Sequence, residues 1–534
     1  MFSAGHFVRV VTEPAPVPLD GNGVSRNPDV GGGWPTILFG SATKRPGAVQ
    51  MADARWGEDD AWVMTSKETS VTSEASHVAD EPRVLVFGSG MSGTSAALAV
   101  AKSGVPVTVF EKEQVTGGSA ALSAGMYWSA ASYEALRSHV PDGDPAVQEK
   151  LIEHFRPALD DIKELGVRVA SEEEKHQTPL AQGYPIDIVG FLEAARSKIL
   201  ASGGRFETGT RLDKLTVQDD GTVVATVVTD DGSRAEHRSP AVILATGGFQ
   251  GNDELLLRYV GAPSSKLILR SNPGSSGDGL MAAESIGAAS TAGLGTFYGH
   301  LVPYPLREFQ PRDFLPLAQY YSIWTILLNA QGKRFADELR ADETLNQDLT
   351  FQQGDYGVLI FDSRVRAIAA ASEPFPGFGI IDRFALAADA GANHATAGSL
   401  DELLDHVAAW GFDRATLEQT VAQYIEATDN GSTSAEGIPV NPEARAPKEP
   451  PFYALQVRPS ITFTLGGISI DTGGHVLDSS GAPIPGVFAA GADTGGISNY
   501  GYVGGLAPAF VTGRWAGVSA ASRVLESAQN RSAS

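Results

Sequence analysis

Cysteine is missing altogether from the 534 residues, and that absence removes disulfides, zinc ribbons, iron–sulfur clusters and thiol nucleophiles at once. Positive charge is also scarce. Lys and Arg number 40 against 63 Asp and Glu, a net of −23. So acidic a surface repels phosphate backbones and anionic lipid headgroups, which excludes nucleic acid as an expected partner and weakly disfavours a dianionic substrate. No window approaches the ~18 apolar residues of a membrane span, so no integral membrane segment is expected. The first residues, MFSAGHFVRVVTEP, lack the charged start and apolar stretch of a secretory leader, and a cytoplasmic location is the expectation. No metal centre is expected.

What is abundant is glycine, 60 residues or roughly a ninth of the chain, against a typical ~7%. Without a collagen period, that excess points to tight turns and close backbone approaches. Residues 1–80 scatter Pro, Gly, Ser and Asp without period around Gly31-Gly32-Gly33. They read as a poorly ordered arm, or as an upstream extension with Met51 or Met64 as the start.

Organised chain begins at Arg83. RVLVF (83–87) is a buried-strand run, followed by the turn Gly88-Ser89-Gly90-Met91-Ser92-Gly93 and the Ala-rich helix TSAALAVAKSG. A second strand, VPVTVF, ends at Glu111, 18 residues past Gly93. In such a unit Gly88 turns tightly, Gly90 lets backbone N–H groups approach a diphosphate, and Gly93 lets helix and strand pack closely. The helix N-terminus attracts the anion, and Glu111 can accept from ribose hydroxyls. Glycine motifs then return: Thr116-Gly117-Gly118-Ser119, Ser123-Ala124-Gly125, the strand AVILATGG (241–248), GVFAAGAD (486–493), and Gly504-Gly505 before a long helix. One nicotinamide dinucleotide needs a single unit. Several distant glycine loops converging on one ligand point to FAD.

The residues GSGMSG, Glu111-Lys112, TGGSAALSAG, ATGGF, SSGDG (275–279), NAQGKRFADE (329–338), TLGGISID (464–471) and GVFAAGADTGG resemble the fumarate reductase and 3-ketosteroid dehydrogenase superfamily of FAD flavoproteins. The resemblance runs from about 83 to 523. It implies an α/β fold: a Rossmann-like, GR2-type FAD domain from 83–297 and 459–526, an inserted α+β cap over 298–458, and a C-terminal tail at 527–534. The cap is expected to hinge near 298 and 458. Within the FAD domain, Asp-Gly turns at 220–221 and 231–232 predict a β-meander. DELLDHVAAWG and DRATLEQTVAQYIEAT read as cap helices.

The resemblance places the cofactor against Gly88, Gly90, Met91, Ser92 and Gly93, then Glu111 and Lys112, then Gly117, Gly118 and Ser119. Further contacts are implied at Ser123, Ala124 and Gly125, at Ala245, Thr246 and Gly247, at Asp278, at Gly491 and Asp493, and at Gly504, Gly505 and Leu506. For the substrate it implies a departure from the fumarate branch. Phe463 stands where that branch has a histidine, Tyr502 stands near its C-terminal arginine, and Asp342, eight residues past Arg334, stands at its catalytic arginine. Aromatic residues fill the gap, Trp128, Phe297, Tyr298, Tyr304, Tyr320 and Trp324 among them. The implied catalytic candidates are Tyr500, Tyr502, His300, Tyr127 and Tyr321. Glu338 relays protons or pairs with Arg334.

The expected chemistry is desaturation of a small-molecule carbonyl compound such as a cyclic or polycyclic ketone. A tyrosinate or His300 takes the α-proton, and the β-hydride goes to flavin N5. With an electron donor the reaction reverses to ene reduction. No second nicotinamide module is visible, so re-oxidation is expected from a quinone-like acceptor, O₂ or a redox partner. Two alternatives stay open: reduction of an unsaturated acid gripped by Arg340 or Arg514, and a flavoprotein-fold binding protein without catalysis.

Overall fold

The computed structural model describes residues 10–11, 36–37, 82–170, 174–175, 181–373, 379–441 and 444–533. The expected N-terminal arm lies outside the described residues, apart from a pairing of Val10–Val11 with Thr36–Ile37. The chain divides into a smaller unit, residues 1–80 with 372–381, and a larger one holding 81–371 and 382–534. Everything below concerns the larger.

Strand β1 (Val84–Phe87) is buried at all four positions, because helices and loops cover both faces of a parallel sheet. Helix α1 (Met91–Lys102) follows the glycine turn. A Cβ on Gly93 would collide with the Gly88 carbonyl, so only glycine lets the helix lie that close to the strand. β2 (Val107–Phe110), β3 (Arg205–Glu207) and β4 (Ala241–Leu244) run parallel to β1, with β4 and β2 flanking β1 and β3 outside β2. The predicted meander forms from Thr210–Val217, Val223–Thr229 and Arg234–Ser239, turning at Gly221 and Gly232, both at positive φ.

The chain then builds a second layer. It contains helix α2 (Ala341–Thr350) and an antiparallel sheet centred on β5 (Gly357–Asp362) and β6 (Phe452–Ile461). The two expected helices are Leu400–Ala408 and Arg414–Asp429, capped by the Ser399 and Asp413 side chains. β6 runs unbroken through residue 458, held by β5 up to Val457 and by Leu301–Pro303 from Val457 to Pro459, so the expected crossing at 458 falls within a strand.

β7 (His475–Leu477) and β8 (Pro483–Ala489) return to the first sheet, giving the order β7-β8-β4-β1-β2-β3 with β7 alone antiparallel. Helix α3 (Leu506–Ala533) packs across α1. Residues 527–533, expected as a tail, continue this helix, since LESAQNRSA contains neither Gly nor Pro to stop it.

Candidate active site

Helix α1 starts from Gly90 with no side-chain cap, so its first-turn N–H groups at Met91, Ser92 and Gly93 face outward at the positive helix end. A Cβ on Gly90 would meet nothing nearer than the Gly117 carbonyl oxygen at 3.9 Å. That open ground over uncapped donors is a diphosphate cradle. Glu111 is buried beside it. Its Oε2 accepts from the Ser89 N–H at 3.0 Å and the Ser89 hydroxyl at 2.6 Å, and its Oε1 accepts from Glu113 N–H at 3.0 Å. Gly117 N–H donates to the Ser89 hydroxyl at 3.2 Å, tying the second glycine motif to the first. Lys112 reaches Ser276 and Asp278 at 2.6 and 2.9 Å, and Ser119 accepts from Asn272 N–H at 3.2 Å.

Asp493 is fully enclosed and accepts from the Thr246 N–H and hydroxyl and from the Gly247 and Gly248 N–H groups; burial pushes it up to about 6. Ala245 donates to Phe87 at the end of β1, and Ser123 closes the Ala124–Gly125 turn. Gly491 lies against Ser92, which brings the C-terminal loop to the start of α1. Gly504 has φ +105, and a Cβ there would strike the Trp128 carbonyl, so no other residue fits before Gly505 and Leu506 open α3. Donors at helix starts, a buried acid at the end of the second strand and glycine floors suit a long dinucleotide, and the residues present fit FAD.

A second cluster lies where Phe297–Tyr298 pairs with Phe463–Thr464. The Tyr298 hydroxyl sits 2.6 Å from His300 Nε2, and His300 Nδ1 sits 2.7 Å from Asp342 Oδ2. Ser460 in β6 pins His300 by accepting from its N–H at 3.1 Å and donating to its carbonyl at 2.7 Å. Asp342 occupies the first turn of α2, and its carboxyl is hydrogen-bonded to Glu343. Ligand atoms of His300, Asp342 and Glu343 lie within 4.8 Å of one another.

Tyr502 stacks on Tyr298 with ring centroids 3.8 Å apart at 15°, and its hydroxyl is hydrogen-bonded to Tyr298 and Trp128. Trp128 and Phe463 meet Tyr502 edge-on at 4.8 and 5.9 Å. Tyr320 meets the His300 ring at 4.8 Å, with Arg383 over its other side at 5.1 Å. Arg270 donates to the Phe314 carbonyl at 2.8 Å and to Thr462 at 3.1 Å.

Burial dominates the electrostatics here. It drives His300 well below its ordinary value, and Arg270 and Arg383 add to the effect, so the imidazole is neutral. It lifts Asp342 to about 7. It pushes Tyr298 and Tyr502 upward and Tyr320 up to about 12. The expected tyrosinate base is therefore opposed at every tyrosine of the cluster.

Of the five catalytic candidates, His300 and Tyr502 come together and three do not. Tyr127 is fully buried against Phe155, with its hydroxyl donated to the Phe155 carbonyl at 3.0 Å; it is a core residue. Tyr321 packs edge-on against Phe361 in the core of the second layer. Tyr500, at φ +60, gives its hydroxyl to Asp348 and lies under Arg340 at 4.6 Å. Glu338 pairs with Arg334 rather than facing the cluster. Arg514 pairs with Asp161, and Arg340 with Asp348. Sequence reasoning placed Tyr298 and Asp342 here without a catalytic role and missed Arg270 and Arg383. The i, i+2 spacing of Tyr298 and His300 on an extended run was the available signal.

Residues 83–506 match the family model described as an FAD binding domain. The chain is 29% identical over 488 residues to a fumarate reductase (cytochrome) of Shewanella frigidimarina, covering 85% of this chain and 79% of the relative. It is 26% identical to the 4-oxocyclohexanecarboxylate 2-dehydrogenase of Sinomonas cyclohexanicum, covering 81% and 92% of the two chains. A solved 3-ketosteroid-Δ4-(5α)-dehydrogenase from Rhodococcus jostii shares the fold, with a TM-score of 0.64 at 22% identity over 84% of this chain and 99% of that one.

Proposed function

The chain belongs to this FAD-binding family and is an FAD-dependent oxidoreductase of CH–CH bonds, and we propose that its substrate is a neutral carbonyl compound. The class we favour is a cyclic or polycyclic ketone, desaturated beside its carbonyl or, with an electron donor, formed by reducing the enone. Bound FAD supplies the hydride acceptor or donor. The protein's share is to seat the substrate, polarise its carbonyl and move one proton.

The observation that carries this reading is the Tyr298–Tyr502 stack, rings 3.8 Å apart, standing with Phe463 and Asp342 where a dicarboxylate would need cations. Two phenols, a phenyl ring and an acid offer a carboxylate no cation, and leaving it unpaired costs several kcal/mol unless Arg270 or Arg383 reaches it. A ketone oxygen needs only a phenol donor, and Tyr502 supplies one beside Gly505, where a Cβ would crowd the Phe463 ring at 3.2 Å and lie 3.5 Å from the Tyr502 hydroxyl. A tyrosine donor of this kind contributes about 10²–10³ in rate when it is aimed at developing negative charge.

A second reading, reduction of an unsaturated acid, draws on Arg270 and Arg383, two buried arginines whose charge is felt at His300. Names among the relatives, urocanate reductase included, lie on that side. Photoreduced enzyme mixed anaerobically with cyclohex-2-enone, fumarate or acrylate separates the two. The carbonyl reading expects flavin re-oxidation by the enone. Rapid re-oxidation by an acid and none by the enone would overturn it.

No helix among the described residues is long and apolar enough to cross a membrane. An electron acceptor of quinone-like type, O₂ or a protein partner completes the proposed cycle.

A further inference from the structure

We infer that Tyr502, Tyr298, His300 and Asp342 form one proton line, with Asp342 storing the proton exchanged with the substrate's α-carbon. The inference rests on the carbonyl reading for its substrate and on nothing else from it.

The line is continuous. Trp128 and Tyr298 are hydrogen-bonded to the Tyr502 hydroxyl, Tyr298 to His300 Nε2 at 2.6 Å, and His300 Nδ1 to Asp342 at 2.7 Å. Each middle member both donates and accepts, so the line has two fillings. In the first, Asp342 is protonated and donates to Nδ1, Nε2–H donates to Tyr298, Tyr298 donates to Tyr502, and the Tyr502 proton points at the substrate. In the second, every bond is reversed. Asp342 is a carboxylate accepting from Nδ1–H, and the Tyr502 oxygen has a lone pair for the substrate.

Desaturation converts the second filling into the first. The α-C–H bond breaks, and its electron pair becomes the new C=C as the hydride leaves the β-carbon in the established redox step. The proton joins the Tyr502 oxygen. The former Tyr502 proton passes to Tyr298, the former Tyr298 proton to Nε2, and the Nδ1 proton to the Asp342 carboxylate. Three carriers end with the charge they began with, and only Asp342 changes. No phenolate or imidazolium is left behind.

The surroundings favour that end point. Burial, aided by Arg270 and Arg383, disfavours a cationic His300; at Asp342 burial favours the neutral acid and outweighs the same two arginines, which favour the carboxylate. Glu343 faces the same carboxyl from α2, and Tyr320 faces the ring edge-on. These groups, with Tyr298 and Tyr502, are the charged or titratable neighbours of the His300–Asp342 pair. Asp342 thus replaces a lost cation with a proton store.

The test uses the FAD-loaded enzyme with reduced methyl viologen as electron donor and cyclohex-2-enone as probe. Tyr298→Phe keeps the ring stack, and Asp342→Asn keeps the volume. Each should lower kcat by roughly 10²–10³-fold with KM within a few-fold, and the double variant should be no slower, because members of one line fail together. Wild type should show a pH inflection near 7 from Asp342, and Asp342→Asn should lose it. A second readout needs no substrate. With ¹⁵N-histidine labelling and His300→Gln for assignment, the His300 ring should carry its proton on Nε2 below that inflection and on Nδ1 above it. Asp342→Asn should abolish the exchange. Wild-type kcat in Tyr298→Phe, additive losses in the double variant, or an exchange that persists in Asp342→Asn would each overturn the relay. If fumarate is turned over and the enone is not, the carbonyl reading fails alone, and the tautomer exchange still decides the relay.

Discussion

Asparagine at position 342 changes stability in a way whose sign is fixed by burial. Asp342 is raised to about 7 in the folded protein, against about 3.9 for an exposed aspartate. A raised folded value means that the group's contribution is fully present below the unfolded value and is lost as pH rises through the folded one. Three units between them correspond to on the order of 4 kcal/mol lost between pH 4 and pH 8. Asparagine mimics the neutral acid at every pH and has nothing to lose. Wild type and Asp342→Asn should therefore differ by a constant at pH 4, and the variant should gain on wild type from there to pH 8. For a chain of 534 residues the gain is about 3–4 °C in Tm. His300 is held neutral by the same burial and loses stability in the opposite sense as pH falls below its unfolded value; because it bonds Asp342 at 2.7 Å, the comparison is made in a His300→Gln background. Thermal scans across that range at fixed ionic strength measure it. Curves that stay parallel would mean that Asp342 is ionised throughout, and the proton store would go with it.

Three other outcomes follow from the geometry. Glu111→Ala removes a buried carboxylate that organises Ser89 and Glu113 and faces the ribose, so FAD affinity should fall about 10–100-fold, read as flavin lost on gel filtration; full flavin retention would refute the assignment. Gly504→Ala forces a Cβ toward the Trp128 carbonyl at positive φ, at about 1–3 kcal/mol of strain before any clash, and should give a flavin-poor protein with a lower Tm. Tyr500→Phe gives up its bonds to Asp348 and Arg340 and should hold turnover within ~3-fold, whereas Tyr502→Phe should lose ~10²–10⁴-fold; the opposite ranking would move the chemistry to Tyr500.

The first sheet was legible because its signals are local. Glycine spacing, apolar runs and Asp-Gly turns each act over a few residues, and they predict the βαβ unit, the meander and the closing strand as found. The strand through 458 was not, since β6 owes its continuity to partners about 100 and about 157 residues upstream, visible only once paired. The end of α3 was missed for a different reason. Nothing in LESAQNRSA marks an end, and the helix simply continues until the chain does.

The site shows where residue type misleads and residue position does not. Tyr127 and Tyr321 were singled out, and their neighbours Trp128 and Tyr320 were left as pocket aromatics. Along the strand Met126–Ala130, however, neighbours point to opposite faces, so Tyr127 and Trp128 cannot both face the substrate. The strand turns Trp128 to Tyr502 and Tyr127 into the core. Tyr320 and Tyr321 divide in the same way, one against His300 and the other against Phe361. Asp342 is the reverse case. Counting from Arg334 located it correctly but valued it only as a missing arginine, because its partner His300 lies 42 residues away. An acid placed against a buried imidazole is not an absence. Burial holds the ring neutral and lifts the acid to about 7, so in a cluster without an ionised tyrosine Asp342 is the group whose charge can change.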